Sequence, residues 1–362
     1  RDWSSDVCSS DLLRPALKPM SAYGAPQLAA KVRINTNENP YGPSDELIKT
    51  MLHRISEVAG SLNRYPDRDA AQLRKKLADY LGNDLNLENI WAANGSNEII
   101  QSIFLAFGSG SAIGFSPSYS MHPIIAKVTG VDWVDGKRRP DFSFDVDSAI
   151  AEISKLKPKL VFITTPNNPT GEAIKLSEIE KLAVEAKQVS ALLVVDEAYA
   201  EFSNEPSAIT LLSNYPNILV SRTMSKAFAF AGARLGYLAA DKTVISALQL
   251  VRLPYHLSSL TLAAAEVALD YRDELLATVS ELVNQRNSLA DQLTKLGLMV
   301  TPSSSNFLLF SGFNDDSNSL WEKLMKAGVL IRDVGLPGHL RVTVGTASEN
   351  EEFIAALKAV LR

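Results

Sequence analysis

Ser221-Arg222-Thr223-Met224-Ser225-Lys226-Ala227-Phe228 runs from an apolar, strand-like segment through hydroxyl residues into a lysine. Ala231-Gly232-Ala233-Arg234-Leu235-Gly236-Tyr237 follows with glycines and an arginine. A solvated lysine is a cation and a poor nucleophile. To form a Schiff base it must be partly desolvated so that it can shed its proton. An isolated lysine is ordinarily a surface group, so the neighbours carry the inference. The stretch is otherwise apolar, and the hydroxyls of Thr223 and Ser225 together with Arg234 suit a phosphate group. The combination fits a phosphorylated aldehyde cofactor.

Working outward, Leu192-Leu193-Val194-Val195 reads as a strand that ends on Asp196, with Tyr199 three residues on. Ligands of open α/β sheets gather at the carboxyl ends of the strands. A carboxylate there can face a pyridinium nitrogen and keep it protonated, as pyridoxal chemistry requires, and Tyr199 can reach the ring hydroxyl. Thr165-Pro166-Asn167-Asn168-Pro169-Thr170-Gly171 ends the strand Val161-Phe162-Ile163. Turn chemistry alone explains those letters, but the position lets Asn168 donate to the cofactor oxygen. Gly95-Ser96-Asn97-Glu98 opens a helix directly after a strand. Free amides and a serine hydroxyl at a helix N-terminus form a phosphate site, although plain capping accounts for the same residues. Tyr119 stands at a strand-to-helix junction where it could stack on a ring.

The rest of the chain supplies a frame for these residues. Helical patterns near 44–59 and 69–81 precede the strand Ile90–Ala93 and a helix ending at Phe107. Short apolar runs recur at 111–115, 160–165, 191–196, 217–221 and 235–240, mostly separated by helix-period segments. Ser177-Glu178-Ile179-Glu180 has capping-box spacing. Such alternation predicts an α/β fold with a mostly parallel sheet flanked by helices. Residues 259–296 read as long helices. Strands at 306–310, 329–332 and 340–344, with helices at 317–327 and 348–361, predict a smaller α+β C-terminal domain. The expected division is an N-terminal arm at 13–43, a large cofactor-binding domain at 44–255 and a small domain at 256–362. A chain of 362 residues is comfortable for two cores.

Residues 1–12, RDWSSDVCSSDL, have no apolar period, and a reverse translation of them matches a common sequencing-library adapter; they are expected to be an artefact. Cys8, the only cysteine, would then be foreign, leaving no disulfide or cysteine-zinc site and fitting a reducing cytoplasm. The four histidines, His53, His122, His256 and His339, are never at metal-ligand spacing, so no metal is expected and each reads as a surface or packed side chain. No stretch approaches the ~20 apolar residues of a membrane span. A net charge of -5 argues against a nucleic-acid partner and for small molecules. Gly108-Ser109-Gly110 lacks the third glycine of a dinucleotide fingerprint at the right place, and a Ser-x-x-Lys signature fails at Thr223.

The ordered set of motifs resembles the fold type I pyridoxal-phosphate enzymes, built like aspartate aminotransferase, and within them the histidinol-phosphate aminotransferase family. Asn37-Glu38-Asn39-Pro40-Tyr41, Arg64-Tyr65-Pro66-Asp67, Ser118-Tyr119-Ser120-Met121, the Lys226 segment and Leu340-Arg341-Val342-Thr343-Val344-Gly345 carry the likeness across residues 13–362. Tyr23-Gly24-Ala25-Pro26-Gln27 is similar to an actinobacterial branch. The resemblance implies pyridoxal 5'-phosphate attached to Lys226, which then shuttles a proton; Asp196 at the ring nitrogen; Tyr199 and Asn168 at the ring oxygen; and Tyr119 stacked on the ring. It implies Ser96, Asn97, Thr223, Ser225 and Arg234 around the phosphate, with Tyr65 reaching it from the neighbouring subunit of a homodimer with shared active sites. Arg332 and Arg341 are the implied anion binders, helped by Asn39 and by Tyr23 from the partner's arm. The implied reaction joins histidinol phosphate and 2-oxoglutarate to imidazole-acetol phosphate and glutamate in histidine biosynthesis. His122 departs from the family, where many members have tyrosine. An aromatic amino acid aminotransferase on the same frame is the alternative, because letters do not separate imidazole from phenyl. A threonine-phosphate decarboxylase shares much of the frame. A DNA-binding regulator would need a helix-turn-helix, which nothing ahead of residue 43 supplies.

Overall fold

The computed structural model describes residues 12–361; residues 1–11, including Cys8 and all but the last residue of the stretch read as an artefact, and Arg362 lie outside the described residues. The arm carries a turn at Pro15–Leu17 and strand β1 (Val32–Arg33). Then come α1 (Asp45–Ala59), α2 (Ala71–Leu81), β2 (Ile90–Ala93), α3 (Ser96–Phe107), β3 (Ser111–Ser116), α4 (Met121–Thr129) and β4 (Asp132–Lys137). Next are α5 (Val146–Leu156), β5 (Leu160–Thr164), α6 (Leu176–Gln188), β6 (Leu192–Asp196), β7 (Ile218–Thr223) and β8 (Gly236–Ala240). Helices α7 (Lys242–Val251), α8 (Ser259–Asp270) and α9 (Arg272–Lys295) lead to β9 (Met299–Val300) and β10 (Phe307–Ser311). The chain closes with α10 (Ser317–Lys326), β11 (Val329–Leu330), β12 (His339–Thr343) and α11 (Ala347–Val360).

Seven strands form one sheet in the order β2-β8-β7-β6-β5-β3-β4, in which only β8 runs against the rest. Strands covered on both faces read as near-continuous apolar runs; β5, β6 and the antiparallel β8 are apolar over most of their length, and β7 is apolar in its first half before Ser221, Arg222 and Thr223. Along them alternate residues enter opposite cores. Val161, Ile163, Leu193, Val195 and Val220 pack with Leu73, Leu77, Ile179 and Leu182 of the helices on one face. Leu160, Phe162, Val194, Leu219 and Leu238 pack with Ile99, Phe104, Val244 and Leu248 on the other. A third core joins Leu289 and Leu293 of α9 to Leu308, Phe310, Leu320, Leu340, Val342 and Phe353, and takes in Val32 and Ile34 of the arm. The first core extends through α8 as far as Leu275 and Leu282, so the two cores meet within α9.

Local structure departs from the sequence expectation at four points. The arm is not wholly irregular: β1 pairs in parallel with β11, because Val32 and Ile34 each have a buried apolar side chain to place. Strand β4 has no apolar run, since it is the sheet's edge and most of its residues face solvent. Helix α6 starts at Leu176, before Ser177, and the Glu178 carboxylate accepts from the Lys175 N–H at 3.2 Å; Ser177 is therefore not the cap. The segment at 329–332 is regular only to Leu330, after which Arg332 and Arg341 form an isolated antiparallel bridge. Among the described residues no helix is long and apolar enough to cross a membrane.

The sheet register brings the motifs together. Thr164 stands opposite Asp196, Asp196 opposite Ser221, and Gly236 opposite both Thr223 and Ala93. Gly236 is obligatory there for a steric reason: a Cβ would strike the backbone of Gly95 and Ser96. Gly236→Ala should therefore force the turn after β2 away from the sheet and cost about 1–3 kcal/mol of stability, read as a lower urea midpoint. An unchanged midpoint would contradict this packing.

Candidate active site

A cavity of about 380 Å³ opens at the carboxyl ends of β2, β5, β6 and β7. Its lining includes Ser96, Asn97, Tyr119, Asn168, Asp196, Tyr199, Thr223, Ser225, Lys226, Arg234, Arg332 and Arg341. Segments as distant in sequence as the arm and the last strand thus meet in one space.

One wall is made for an anion. Gly95 holds φ +82, and a Cβ on it would lie 2.6 Å from the Arg234 guanidinium, so the turn and the arginine are in close approach. Helix α3 begins at Ser96, and the first amides of a helix have no partner within it. Thr223 Oγ1 lies 3.0 Å from Ser225 Oγ, and Arg234 reaches the same oxygen at 3.4 Å. These hydroxyls, amides and one guanidinium are the donor set a phosphate monoester needs.

Asp196 is 2% exposed. One carboxylate oxygen lies 3.0 Å from His122 Nε2, while the other is buried with no hydrogen-bond partner. An orphaned buried carboxylate oxygen in a cavity wall is what a pyridinium N–H would satisfy. His122 was not among the expected site residues; it is as deeply buried as Asp196 and belongs to the site through it. The only signal in the letters was its departure from the family's tyrosine. Nearby, the Tyr119 hydroxyl donates to Asn97 Oδ1 at 3.1 Å.

Tyr199 accepts from Asn37 Nδ2 at 2.9 Å and lies 3.5 Å from Asn168 Nδ2. Burial pushes its hydroxyl pKa up, so the phenol keeps a proton to donate into the cavity. Lys226 donates to the Thr36 carbonyl at 2.8 Å. Burial, reinforced by Arg341 and only partly opposed by Glu38, brings its amine down to about 7. The apolar surroundings read from the sequence therefore have the expected electrostatic consequence.

Arg341 donates to Asn168 Oδ1 at 2.5 Å and to the Asn35 carbonyl at 2.9 Å, leaving its buried Nε without a partner. Burial and the neighbouring Arg332 lower its pKa to about 10. Among the described residues Arg332 makes no side-chain ion pair, with Asp333 or any other acid, and it lines the cavity. Two guanidiniums without a carboxylate partner leave the site short of negative charge.

Three expected residues lie differently. Asn39 is outside this cavity: its amide donates to Ala227 O and Thr278 Oγ1 and its oxygen accepts from Tyr41 N–H, so it orders the arm, and Asn35 and Asn37 line the cavity instead. Tyr23 lines the cavity of its own chain, where a partner's arm had been expected to bring it; Asn35 Nδ2 donating to Pro26 O folds the arm back. Tyr65 does not line the cavity and is 79% exposed.

A neutral amine is the nucleophile, so attachment of pyridoxal phosphate to the apoprotein should speed up as pH rises through about 7 and level off above it. Stopped-flow absorbance over that range checks this. A rate still climbing toward 10.5, the ordinary lysine value, would contradict it.

Residues 29–357 match the family described as aminotransferase class I and II. A histidinol-phosphate aminotransferase of Mycolicibacterium smegmatis is 53% identical over 358 residues, covering 97% of this chain and 94% of that protein. The crystal structure of histidinol-phosphate aminotransferase from Sinorhizobium meliloti in complex with pyridoxal-5'-phosphate superposes with a TM-score of 0.83 at 26% identity, covering 97% of each chain. A mutant aspartate aminotransferase of Thermus thermophilus shares the fold, with a TM-score of 0.80 at 23% identity over 97% of this chain and 99% of that one. A cavity with a buried amine, an orphaned carboxylate oxygen and an anion cradle thus sits in a chain that belongs to the class I and II aminotransferases and, among them, to the histidinol-phosphate aminotransferase family.

Proposed function

We propose that this protein is a pyridoxal 5'-phosphate-dependent transaminase that exchanges an amino group between histidinol phosphate and 2-oxoglutarate, giving imidazole-acetol phosphate and glutamate in histidine biosynthesis. The observation that carries the reading is the unpartnered Asp196 oxygen in the same cavity wall as a lysine whose burial favours the neutral amine. When bound, the cofactor supplies an electron-accepting pyridine ring that stabilises charge on the substrate carbon as its proton leaves.

The protein's part is placement. Ser96, Asn97, Thr223, Ser225 and Arg234 would hold the phosphate, Tyr119 would cover the ring, and Tyr199 and Asn168 would donate to the ring oxygen. The free oxygen of Asp196 would accept from the ring nitrogen, with its other oxygen on His122. Lys226 would hold the cofactor's aldehyde through its buried amine and, once released, would move the proton of the substrate carbon. Arg341 and Arg332 take the substrate anion, with Tyr23 above them. A buried guanidinium with an unsatisfied N–H gains most from a ligand that brings both charge and acceptors, and a phosphate or carboxylate brings both.

The working unit we propose is a cytoplasmic homodimer. Tyr65, Leu250 and Leu253 are 79%, 86% and 76% exposed, an apolar surface that a second copy would cover. Tyr65 then reaches the cofactor phosphate of the neighbouring subunit. Small molecules, rather than nucleic acid, suit a net charge of -5.

Titration of the holoenzyme with histidinol phosphate should bleach the cofactor's visible band, and 2-oxoglutarate should restore it; phenylalanine at equal concentration should act far more weakly. No spectral response to histidinol phosphate would refute the proposal. Arg341→Ala should raise KM for both substrates by about 10- to 100-fold, as expected for a lost hydrogen bond to a charged group, while cofactor absorbance persists. Loss of the cofactor instead would contradict this division of roles.

A further inference from the structure

Tyr199 serves the cavity only if its hydroxyl proton points into it, and a phenol proton rotates to suit whatever surrounds it. Both side-chain amides beside it present N–H. Asn37 Nδ2 lies 2.9 Å from the phenol oxygen and Asn168 Nδ2 3.5 Å. Neither offers an acceptor, so the proton is left to the cavity. That holds while both amides keep their orientation. A flip of either would turn a carbonyl oxygen toward the phenol, which would then donate to the wall.

Asn168 is held because its Oδ1 accepts from Arg341 at 2.5 Å. Asn37 is held by a residue outside the cavity. Its backbone N–H donates to Thr343 Oγ1 at 2.9 Å, and the Thr343 hydroxyl donates back to Asn37 Oδ1 at 2.9 Å. A hydroxyl has one proton. With a backbone N–H already aimed at its oxygen, Thr343 needs an acceptor for that proton, and Asn37 Oδ1 supplies it. Were the amide reversed, Nδ2 would face Thr343 and the threonine proton would lose its partner in a buried place, which is costly. Asn37 has little other freedom: it is buried at φ +56, and its carbonyl accepts from Asn306 Nδ2 at 3.1 Å. Thr343 itself stands opposite Phe307 in the β10–β12 pair, and the Phe307 ring meets the Tyr199 ring at 83°, centroids 5.1 Å apart. The ring and the hydroxyl of Tyr199 are thus both set from one pair of strands.

We propose that Thr343 is a positioning residue: its hydroxyl fixes the Asn37 amide so that Tyr199 receives an N–H and turns its own proton toward the ring oxygen of the cofactor. This rests on the reading above that Tyr199 donates to that oxygen. Thr343 does not line the cavity, and its effect passes through Asn37. Removing the hydroxyl leaves the phenol in place but its proton unaimed.

The test is the pH midpoint at which the visible band of the holoenzyme titrates. A donor to the ring oxygen stabilises negative charge there and eases loss of a proton from the bound cofactor, so the midpoint rises when the donor is lost. The charged groups that face the amine, Arg341, Glu38 and Arg234, are kept in every variant. Tyr199→Phe should raise the midpoint by about one to two units, the scale of a hydrogen bond to a charged oxygen. Thr343→Val, which keeps the shape and removes the hydroxyl, should raise it by about half to one unit, and Thr343→Ser should keep the wild-type value. Thr343→Val with Tyr199→Phe should titrate like Tyr199→Phe alone. If the valine variant fails to fold, Asn37→Asp puts an acceptor where the N–H was; it should raise the midpoint more beside Tyr199 than in Tyr199→Phe, because only a phenol has a proton for it to take. A wild-type midpoint in Tyr199→Phe would overturn the donation and this inference with it. A raised Tyr199→Phe beside an unshifted Thr343→Val, or shifts that simply add, would overturn the role of Thr343 alone.

Discussion

Burial of the Lys226 amine is the constraint around which the rest is arranged. A lysine taken out of water gives up its proton or finds an anion. Here the nearest strong hydrogen-bond acceptor is a neutral backbone carbonyl, Thr36 O, and the nearby charges are mostly positive. The amine is held near neutrality by what surrounds it. That state depends on the parallel pairing of β6 and β7, which sets Asp196 opposite Ser221, and on the short excursion from Thr223 that returns Lys226 to the strand ends. Both strands are buried on two faces, so slipping the register would expose apolar residues on either side.

The site also carries unmet electrostatic demand. Asp196 has a carboxylate oxygen and Arg341 an Nε–H with no partner, and both are buried. Each such group costs about 1–3 kcal/mol when left unsatisfied. A pyridinium nitrogen and a substrate anion would satisfy one each. Such ligands would complete the hydrogen bonding of a core that folding alone leaves unfinished, and binding energy would then favour that chemical class. The arm joins in this. Asn37 bridges Tyr199 on one side and Thr343 on the other, and Arg341 grips Asn35, so the third core and the main sheet are linked through three consecutive residues, Asn35 to Asn37, at the cavity.

Much of this was legible in the letters because the physics is local. Strands β5, β6 and β8 and the first half of β7 are apolar runs that need no context, and Asp196, Asn168 and Ser96 all lie at or just beyond strand ends where the register gathers them. What escaped was non-local or compensated. Strand β4, Asp-Trp-Val-Asp-Gly-Lys, is an edge strand whose polarity hides it. His122 meets Asp196 across 74 residues, a pairing no spacing rule encodes. Asn39 looked like a ligand because it sits in a motif, but Thr278 and Ala227 occupy its amide, and Asn37, in a left-handed turn at φ 56, takes the place at the cavity. Tyr23 depended on how the arm folds back, which composition does not specify.

The central claim is that one particular amine, out of all those on the chain, holds the cofactor. Borohydride reduction of the holoenzyme followed by peptide mass spectrometry tests it most directly. The account predicts the pyridoxyl mass on the peptide containing Ser225 and Lys226 and on no other. A label on a different lysine, with Lys226 unmodified, would contradict it.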